Sequence, residues 1–317
     1  MKVERIAPIP LDKKQALTYA AVVASEYGHG RAASAKYLGG GSFGRAVGVT
    51  MDDGSRLVVK LLRGSGMMDK EVHDLKLLAK HCPIPFPEVY FSRAADEAVP
   101  VDCYGMEWLD GKSGLFALGM LLQSKRKRLA FADKVTGALH SIHECTNDRF
   151  GDTMHPEFGS WQEYYKPFAD EVFAVAERMN AEGNLPDKVM SAMRAAYKEY
   201  DVIFSEAPTR ACLIHGDLNI ANIMIGKGYE ITGFIDPLNS AYADREYDLF
   251  QFDNLTGKRF MLREVYLEKY GASRYCMQKL AFYGLWNEVY CYIKSGVLVG
   301  LIMDPLVKNM YRRLNGS

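Results

Sequence analysis

The stretch "LIHGDLNIANIMI", residues 213 to 225, sets His215, Asp217, Asn219 and Asn222 between two short apolar runs, where a strand should be ending. Asp217 and Asn222 stand five residues apart, and Asp236 follows Asn222 by fourteen, in the β-prone run "YEITGFIDP". An aspartate that accepts a hydroxyl proton, with an amide oxygen and a second carboxylate to hold Mg²⁺, is what phosphoryl transfer requires, because the metal must neutralise the phosphates while a base orients the attacking oxygen. The bland alternative is a turn-forming Asx pair plus a strand-end carboxylate. His215 and Asn219 have no chemical role in this reading; His215 is taken as support for the loop.

Three upstream features extend it. "LGGGSFG" places Gly39, Gly40, Gly41, Ser42 and Gly44 between strand-like runs, where glycines let a backbone approach a phosphate chain closely or simply make a flexible hairpin. It is not a Walker loop, since no Gly-Lys-Ser/Thr follows. In "RLVVKLL", Val58, Lys60 and Leu62 share one face of a strand, so Lys60 lies among apolar neighbours and either finds a partner or snorkels from an edge. Glu71, eleven residues on and in helical spacing, is the expected partner, with Asp74 as competitor. Glycine loop, strand lysine and helix glutamate in this order match the kinase scheme, in which the lysine holds nucleotide phosphates and the glutamate positions it. The backbone around Met106, Glu107 and Leu109 would then take the adenine edge, making ATP the donor.

These residues need elements to position them. Apolar side chains at Ala16, Leu17, Ala20, Val23, Ala24 and Tyr27 predict a leading helix over 13–27. The run 37–62 reads as two or three strands with a hairpin at Asp53-Gly54, 68–80 as a helix, and "PFPEVYF" and "VDCYGMEWL" as two further strands. Beyond Gly111 and Gly114 the chain reads as helix over 115–206 and 257–315, with only the segment around 212–235 strand-like. The expectation is an α+β, two-lobed fold. Residues 1–108 form a small antiparallel β lobe with one inserted helix that binds nucleotide. Residues 109–317 form a larger, mostly helical lobe carrying the catalytic loop and the acceptor site.

The bulk properties narrow the partners. In 317 residues, Lys plus Arg equals Asp plus Glu at 39 each, so no net field favours a nucleic acid or an acidic membrane surface, and the expected partner is a small-molecule acceptor. "SKRKR" at 124–128 reads as a solvated helix end. His140 and His143, three apart on a helix, lack a third ligand and read as packing and capping. Six cysteines without zinc or CxxC spacing read as buried free thiols. "MKVERIAPIPLDKK" does not suit a signal peptide and no apolar run reaches roughly 20 residues, so a cytoplasmic location is expected.

"HGDLNIANIM" with "FID" resembles the aminoglycoside phosphotransferase and choline kinase superfamily, over about Leu38 to Phe250. In that superfamily glycine, here Gly216, stands where protein kinases carry arginine. Ile235-Asp236-Pro237 replaces Asp-Phe-Gly and no Ala-Pro-Glu follows, which argues against a protein substrate. "YADREYDLFQ", residues 242 to 251, and "GSWQEYY" are similar to segments of fructosamine kinases. This resemblance implies Asp217 as base, Asn222 and Asp236 as Mg²⁺ ligands, and Asp248 as a brace of the catalytic loop. Asp244, Arg245 and Glu246 are implied to lie on the acceptor side, with Arg245 and Glu246 pairing or lining it. It also implies an acceptor carrying both a hydroxyl and an ammonium group, a ketoamine or amino sugar. The alternatives are a choline- or ethanolamine-type kinase and a catalytically silent nucleotide-binding module.

Overall fold

A computed structural model describes residues 8–28, 30–41 and 43–316. Ser42 of the glycine-rich run therefore lies outside the described residues. The chain opens with α1 (Lys13–Tyr27), started by a reciprocal cap in which Asp12 accepts from the Gln15 N–H and Gln15 from the Asp12 N–H. Then come β1 (Ala32–Gly40), β2 (Gly44–Met51), β3 (Arg56–Leu62), α2 (Met68–His81), β4 (Val89–Arg93) and β5 (Cys103–Glu107). The strands form one antiparallel sheet in the order β1-β2-β3-β5-β4. Asp53 and Gly54 make the β2–β3 turn: the Asp53 carboxylate accepts from Ser55 and Gly54 takes a φ of 84°.

The period of two along β3 divides its side chains between two cores. Leu57, Val59 and Leu61 pack outward with Ala16, Ala20 and Val23 of α1, whereas Leu62 joins Val72, Leu75 and Leu78 of α2 in the core that continues into the second lobe. Lys60 shares the Leu62 face, the inward side expected from the alternation.

The second lobe begins with β6 (Lys112–Ser113) and two 3₁₀ turns. It continues with α3 (Lys125–His143), β7 (Thr146–Asn147), β8 (Phe150–Asp152), β9 (Pro156–Phe158), α4 (Trp161–Ala181), α5 (Asp187–Lys198), α6 (Tyr200–Ile203) and β10 (Ala211–Ile214). After them come β11 (Ile223–Ile225), β12 (Ile231–Phe234), β13 (Ala241–Ala243), α7 (Glu246–Leu249), α8 (Leu262–Tyr270), α9 (Cys276–Ser295) and α10 (Gly300–Asn315). The expectation of one strand-like segment here needs correction, because β7, β8, β9 and β13 join β10 in a second sheet, order β7-β10-β13-β8-β9. Strands of two or three residues are too short for a period of two to register. The cysteines also differ in part: Cys103 and Cys276 are buried, but the other four are only half-buried thiols.

The fold is α+β and two-lobed. Lys70 of α2 joins the lobes, reaching Asp74 at 2.8 Å, the Ser240 carbonyl at 2.8 Å and Asp152 at 3.1 Å. Among the described residues no helix is long and apolar enough to cross a membrane.

Candidate active site

β10 delivers the chain to His215 and Gly216, and the turn there is built on one buried carboxylate. Asp248 of α7 accepts from the His215 N–H at 2.8 Å and the Gly216 N–H at 2.6 Å. Its Oδ2 also lies 3.1 Å from His143 Nε2, while His143 Nδ1 is 2.6 Å from the Tyr266 hydroxyl. A tautomer with the proton on Nε2 satisfies both contacts. Gly216 takes a φ of 79° and a Cβ would overlap the Asn239 backbone, so glycine is required twice over. Burial pushes the His215 imidazole down to about 4, which keeps it neutral.

Both Asp217 oxygens are held by asparagines. Asn219 Nδ2 donates to Oδ1 at 2.9 Å and Asn222 Nδ2 to Oδ2 at 3.1 Å, with a further 2.7 Å bond from Asn222 to the Asp217 carbonyl. Asn219 had no role in the sequence; here it orients the carboxylate and caps the 3₁₀ turn through the Ala221 N–H. Burial, with Asp236 adding negative charge nearby, pushes the Asp217 carboxyl up to about 7 against the two amide bonds. That is near the optimum for a base working at neutral pH.

Asp236 sits just past β12 with a φ of 61°, a conformation a non-glycine residue holds only where surrounding structure enforces it. Lys60 Nζ is 2.6 Å from its Oδ1 and also contacts Glu71 Oε1. Burial opposes the charge on Lys60, but Asp236 and Glu71 outweigh it and hold the ammonium. Asp74, the competitor, is taken by Lys70 and Thr153 instead. Lys60, Glu71, Asp217, Asn222 and Asp236 thus form one cluster drawn from both lobes.

Above it lies the β1–β2 hairpin. Arg45 Nη1 ties the turn by donating to the carbonyls of Gly41 (2.5 Å) and Gly44 (2.9 Å). A Cβ at Gly39 or Gly41 would meet open space, whereas one at Gly40 would strike Tyr37, Arg45 and the Gly44 carbonyl. The fold itself demands glycine at 40 and leaves the backbone at 39 and 41 bare. At the outer end, Met106 pairs with both neighbouring strands and the Glu107 N–H is taken by Glu88, so Trp108 and Leu109 are the first residues past the sheet. The Trp108 indole lies where a Cβ on Gly48 would be, with the Arg56 guanidinium 5.2 Å from its ring centre. Sequence reasoning passed over Trp108; the glycine at 48 inside a β-prone run was the available sign.

For Arg245 and Glu246 the pairing alternative needs correcting. Arg245 and Glu246 do not pair: Arg245 donates to the carbonyls of Tyr270 and Gly271, while Glu246 accepts from Ser273 and from Lys279 at 3.1 Å. Asp244 accepts from Lys279 at 3.1 Å and from the Tyr283 hydroxyl at 3.2 Å. The three line a cavity of about 400 Å³ with His143, Arg210 and Cys212, and none of the five clustered residues borders it. Lys279 offsets one of the two carboxylate charges, and Ser273 and the Tyr283 hydroxyl take further carboxylate lone pairs, so both acids are engaged within the protein. The missed partner, Lys279, is 33 residues beyond Glu246 on α9 and reads in sequence as an ordinary helix-face lysine.

A two-lobed fold with this cluster in its cleft defines a kinase-like phosphotransferase architecture. The sequence model of the phosphotransferase enzyme family (APH) matches residues 34–283, and the chain belongs to that family. Among solved structures it is similar to a provisionally assigned fructosamine-3-kinase from Thermobifida fusca, with 19% identity, 94% of this chain and 98% of that chain covered and a TM-score of 0.65. It is also similar to a thermostable mutant of the aminoglycoside phosphotransferase APH(4)-Ia in ternary complex with ADP and hygromycin B, with 14% identity, coverages of 93% and 97% and a TM-score of 0.69. A macrolide 2'-phosphotransferase type I aligns with 17% identity, coverages of 96% and 99% and a TM-score of 0.62. At these identities the likeness concerns the fold. No curated protein sequence matches the chain.

Proposed function

We propose that the protein is a small-molecule kinase that moves the γ-phosphoryl of ATP to a hydroxyl of an amine-bearing sugar or ketoamine. Residues 1–108 would serve as the nucleotide lobe and 109–317 as the acceptor lobe. The observation that carries this reading is the convergence of Lys60, Glu71, Asp217, Asn222 and Asp236, which lie in four separate segments of sequence.

The acceptor oxygen attacks the γ-phosphorus as its proton passes to Asp217; the new O–P bond replaces the one to the β-phosphate oxygen, and ADP leaves. Lys60 holds phosphate oxygens, and Glu71 keeps its ammonium in place. The bare backbone at Gly39 and Gly41 lets the phosphates approach. The donor set suits Mg²⁺: Asn222 spends its Nδ2 on Asp217 and keeps Oδ1, and the Asp236 side chain is 43% exposed. Asn222 and Asp236 would hold the ion through these oxygens. When bound, the metal neutralises phosphate charge.

The test is a screen with labelled ATP and Mg²⁺ against fructosyl-amines, aminoglycosides, choline and glucose. Phosphorylation of an amine-bearing acceptor, lost in Asp217→Asn, is the expected result. Absence of any ATP turnover would favour a silent nucleotide-binding module.

A further inference from the structure

A second cavity, of about 500 Å³, lies between the glycine hairpin and the C-terminal half of α9. Gly41, Phe43 and Gly64 border it from the first lobe, and Glu288, Cys291 and Val299 from the second. Its α9 wall lies within electrostatic reach of Asp217 through Cys291, although none of the five clustered residues borders the cavity. Asp217 and Glu288 both bear electrostatically on the Cys291 thiol, and Asp217 and Cys291 both bear on Tyr247. Glu288 and Cys291 are three residues apart on one helix, an axial separation of about 4.5 Å.

Glu288 is the charged group here without an internal role. Among the described residues it makes no hydrogen bond or ion pair, and it is half-buried. The other charged residues on the wall are engaged elsewhere: Arg63 Nε donates to the Ile9 carbonyl at 3.0 Å and Lys294 Nζ lies 5.4 Å from the Tyr290 ring centre. Burial is the sole influence that moves the Glu288 carboxyl, pushing it up, so neither cation compensates it. Burial, with Glu288 and Asp217 nearby, pushes the Cys291 thiol up to about 12, so the side chain between the two carboxylates stays neutral. A half-desolvated carboxylate without a partner costs stability unless a ligand supplies the cation.

We propose that Glu288 is the specificity-determining residue of the acceptor site, binding the ammonium group of an acceptor whose hydroxyl is presented to Asp217. This rests on the phosphotransferase reading and replaces Asp244 and Glu246 as the source of amine recognition. Amino-alcohols, amino sugars and ketoamines carry both groups.

The test uses three pairs of hydroxyl compounds: glucosamine and N-acetylglucosamine, fructosyl-glycine and fructose, choline and its uncharged isostere 3,3-dimethylbutanol. KM and kcat are measured for full-length wild type, Glu288→Gln and Glu288→Asp with MgATP. Wild type should favour the cationic member of at least one pair by roughly 10- to 100-fold in kcat/KM, the range of one charge-assisted contact. Glu288→Gln should bring that ratio close to one, mainly by raising KM, and Glu288→Asp should restore part of it. Because Glu288 has no internal partner, the melting temperature of Glu288→Gln should equal or exceed that of wild type. No cationic preference in any pair, a preference that survives Glu288→Gln, or a clear fall in that melting temperature overturns the assignment. Wild-type ATP hydrolysis without acceptor is read separately: its absence, with no transfer to any of the six compounds, counts against the kinase reading itself.

Discussion

Two clusters in this molecule have the same composition, one lysine between two carboxylates. Lys60 lies between Glu71 and Asp236, with side chains 13%, 5% and 43% exposed; Lys279 lies between Asp244 and Glu246, with side chains 2%, 3% and 5% exposed. In the second, Ser273, Tyr283 and the Glu246 N–H take up further carboxylate lone pairs, so the unit is closed upon itself. In the first, Asp236 keeps an open edge, and Glu71 Oε2 is buried without a hydrogen-bond partner. What separates a site from a structural tie is therefore unfilled bonding capacity facing a cleft, not the presence of charge. The first cluster should fail in activity when cut, and the second in stability.

The largest effect is expected beside the open cluster. Asp217→Asn should lower kcat by roughly 10²- to 10⁴-fold, the range for a lost general base, while nucleotide binding survives. Steady-state kinetics with the acceptor found in the screen, together with ADP calorimetry, measure both. Turnover within a few-fold of wild type would remove Asp217 from the role of base.

Cutting the lysines tests the contrast directly. Lys279→Met leaves two buried carboxylates sharing no cation and should cost about 3–5 kcal/mol of stability, as breaking a buried pair does. Lys60→Met should cost less, since Asp236 can rehydrate, yet lower turnover by roughly 10²-fold or more through lost phosphate contacts. Denaturant unfolding and ATP turnover on both variants give four numbers. Equal loss of stability in the two would mean that the clusters do not differ as their exposures indicate.

The sequence shows charges and spacing but not partners, which explains what was legible in it. The 3.6-residue period over 13–27 and 68–80 located α1 and α2, and the Asp217–Asn222 interval was readable because a catalytic loop is local. Asp244 and Glu246 looked available because their neutralising lysine lies on α9, over 30 residues away. Glu288 looked like any polar helix position, because only the hairpin from the other lobe turns its surroundings into a cavity. Asn219 was visible two residues from Asp217, but its function depends on a side-chain direction that a list of residues does not contain.

The raised Asp217 carboxyl fixes the sign of two pH effects. The base form exists above about pH 7, so kcat/KM should rise about tenfold per pH unit up to that point and then level off. For stability the sign is opposite. The folded-state value lies above the unfolded one, so the folded chain binds more protons between pH 4 and 7, and stability falls as pH rises through that window. Asp217→Asn should therefore melt higher than wild type at pH 8, with the gap shrinking toward pH 4. A gap that is constant with pH would mean the carboxyl titrates at its ordinary value.

The smallest effect concerns the hairpin, where the same contrast between open and filled space recurs along three consecutive glycines. Gly40 is packed against Tyr37, Arg45 and the Gly44 carbonyl, so Gly40→Ala must displace one of them and should lower the melting temperature. Gly39 has a φ outside the left-handed region and nothing near its missing Cβ, so Gly39→Ala should leave the melting temperature unchanged or slightly higher, because alanine lowers the entropy of the unfolded chain. If the bare backbone there serves the phosphates, the added methyl should still raise KM for ATP several-fold by holding them away. Thermal melts with and without ATP, and initial rates against ATP concentration, separate the two residues. A Gly39→Ala variant with wild-type KM would reduce this stretch to a flexible turn and leave phosphate binding to Lys60 and the metal ligands alone.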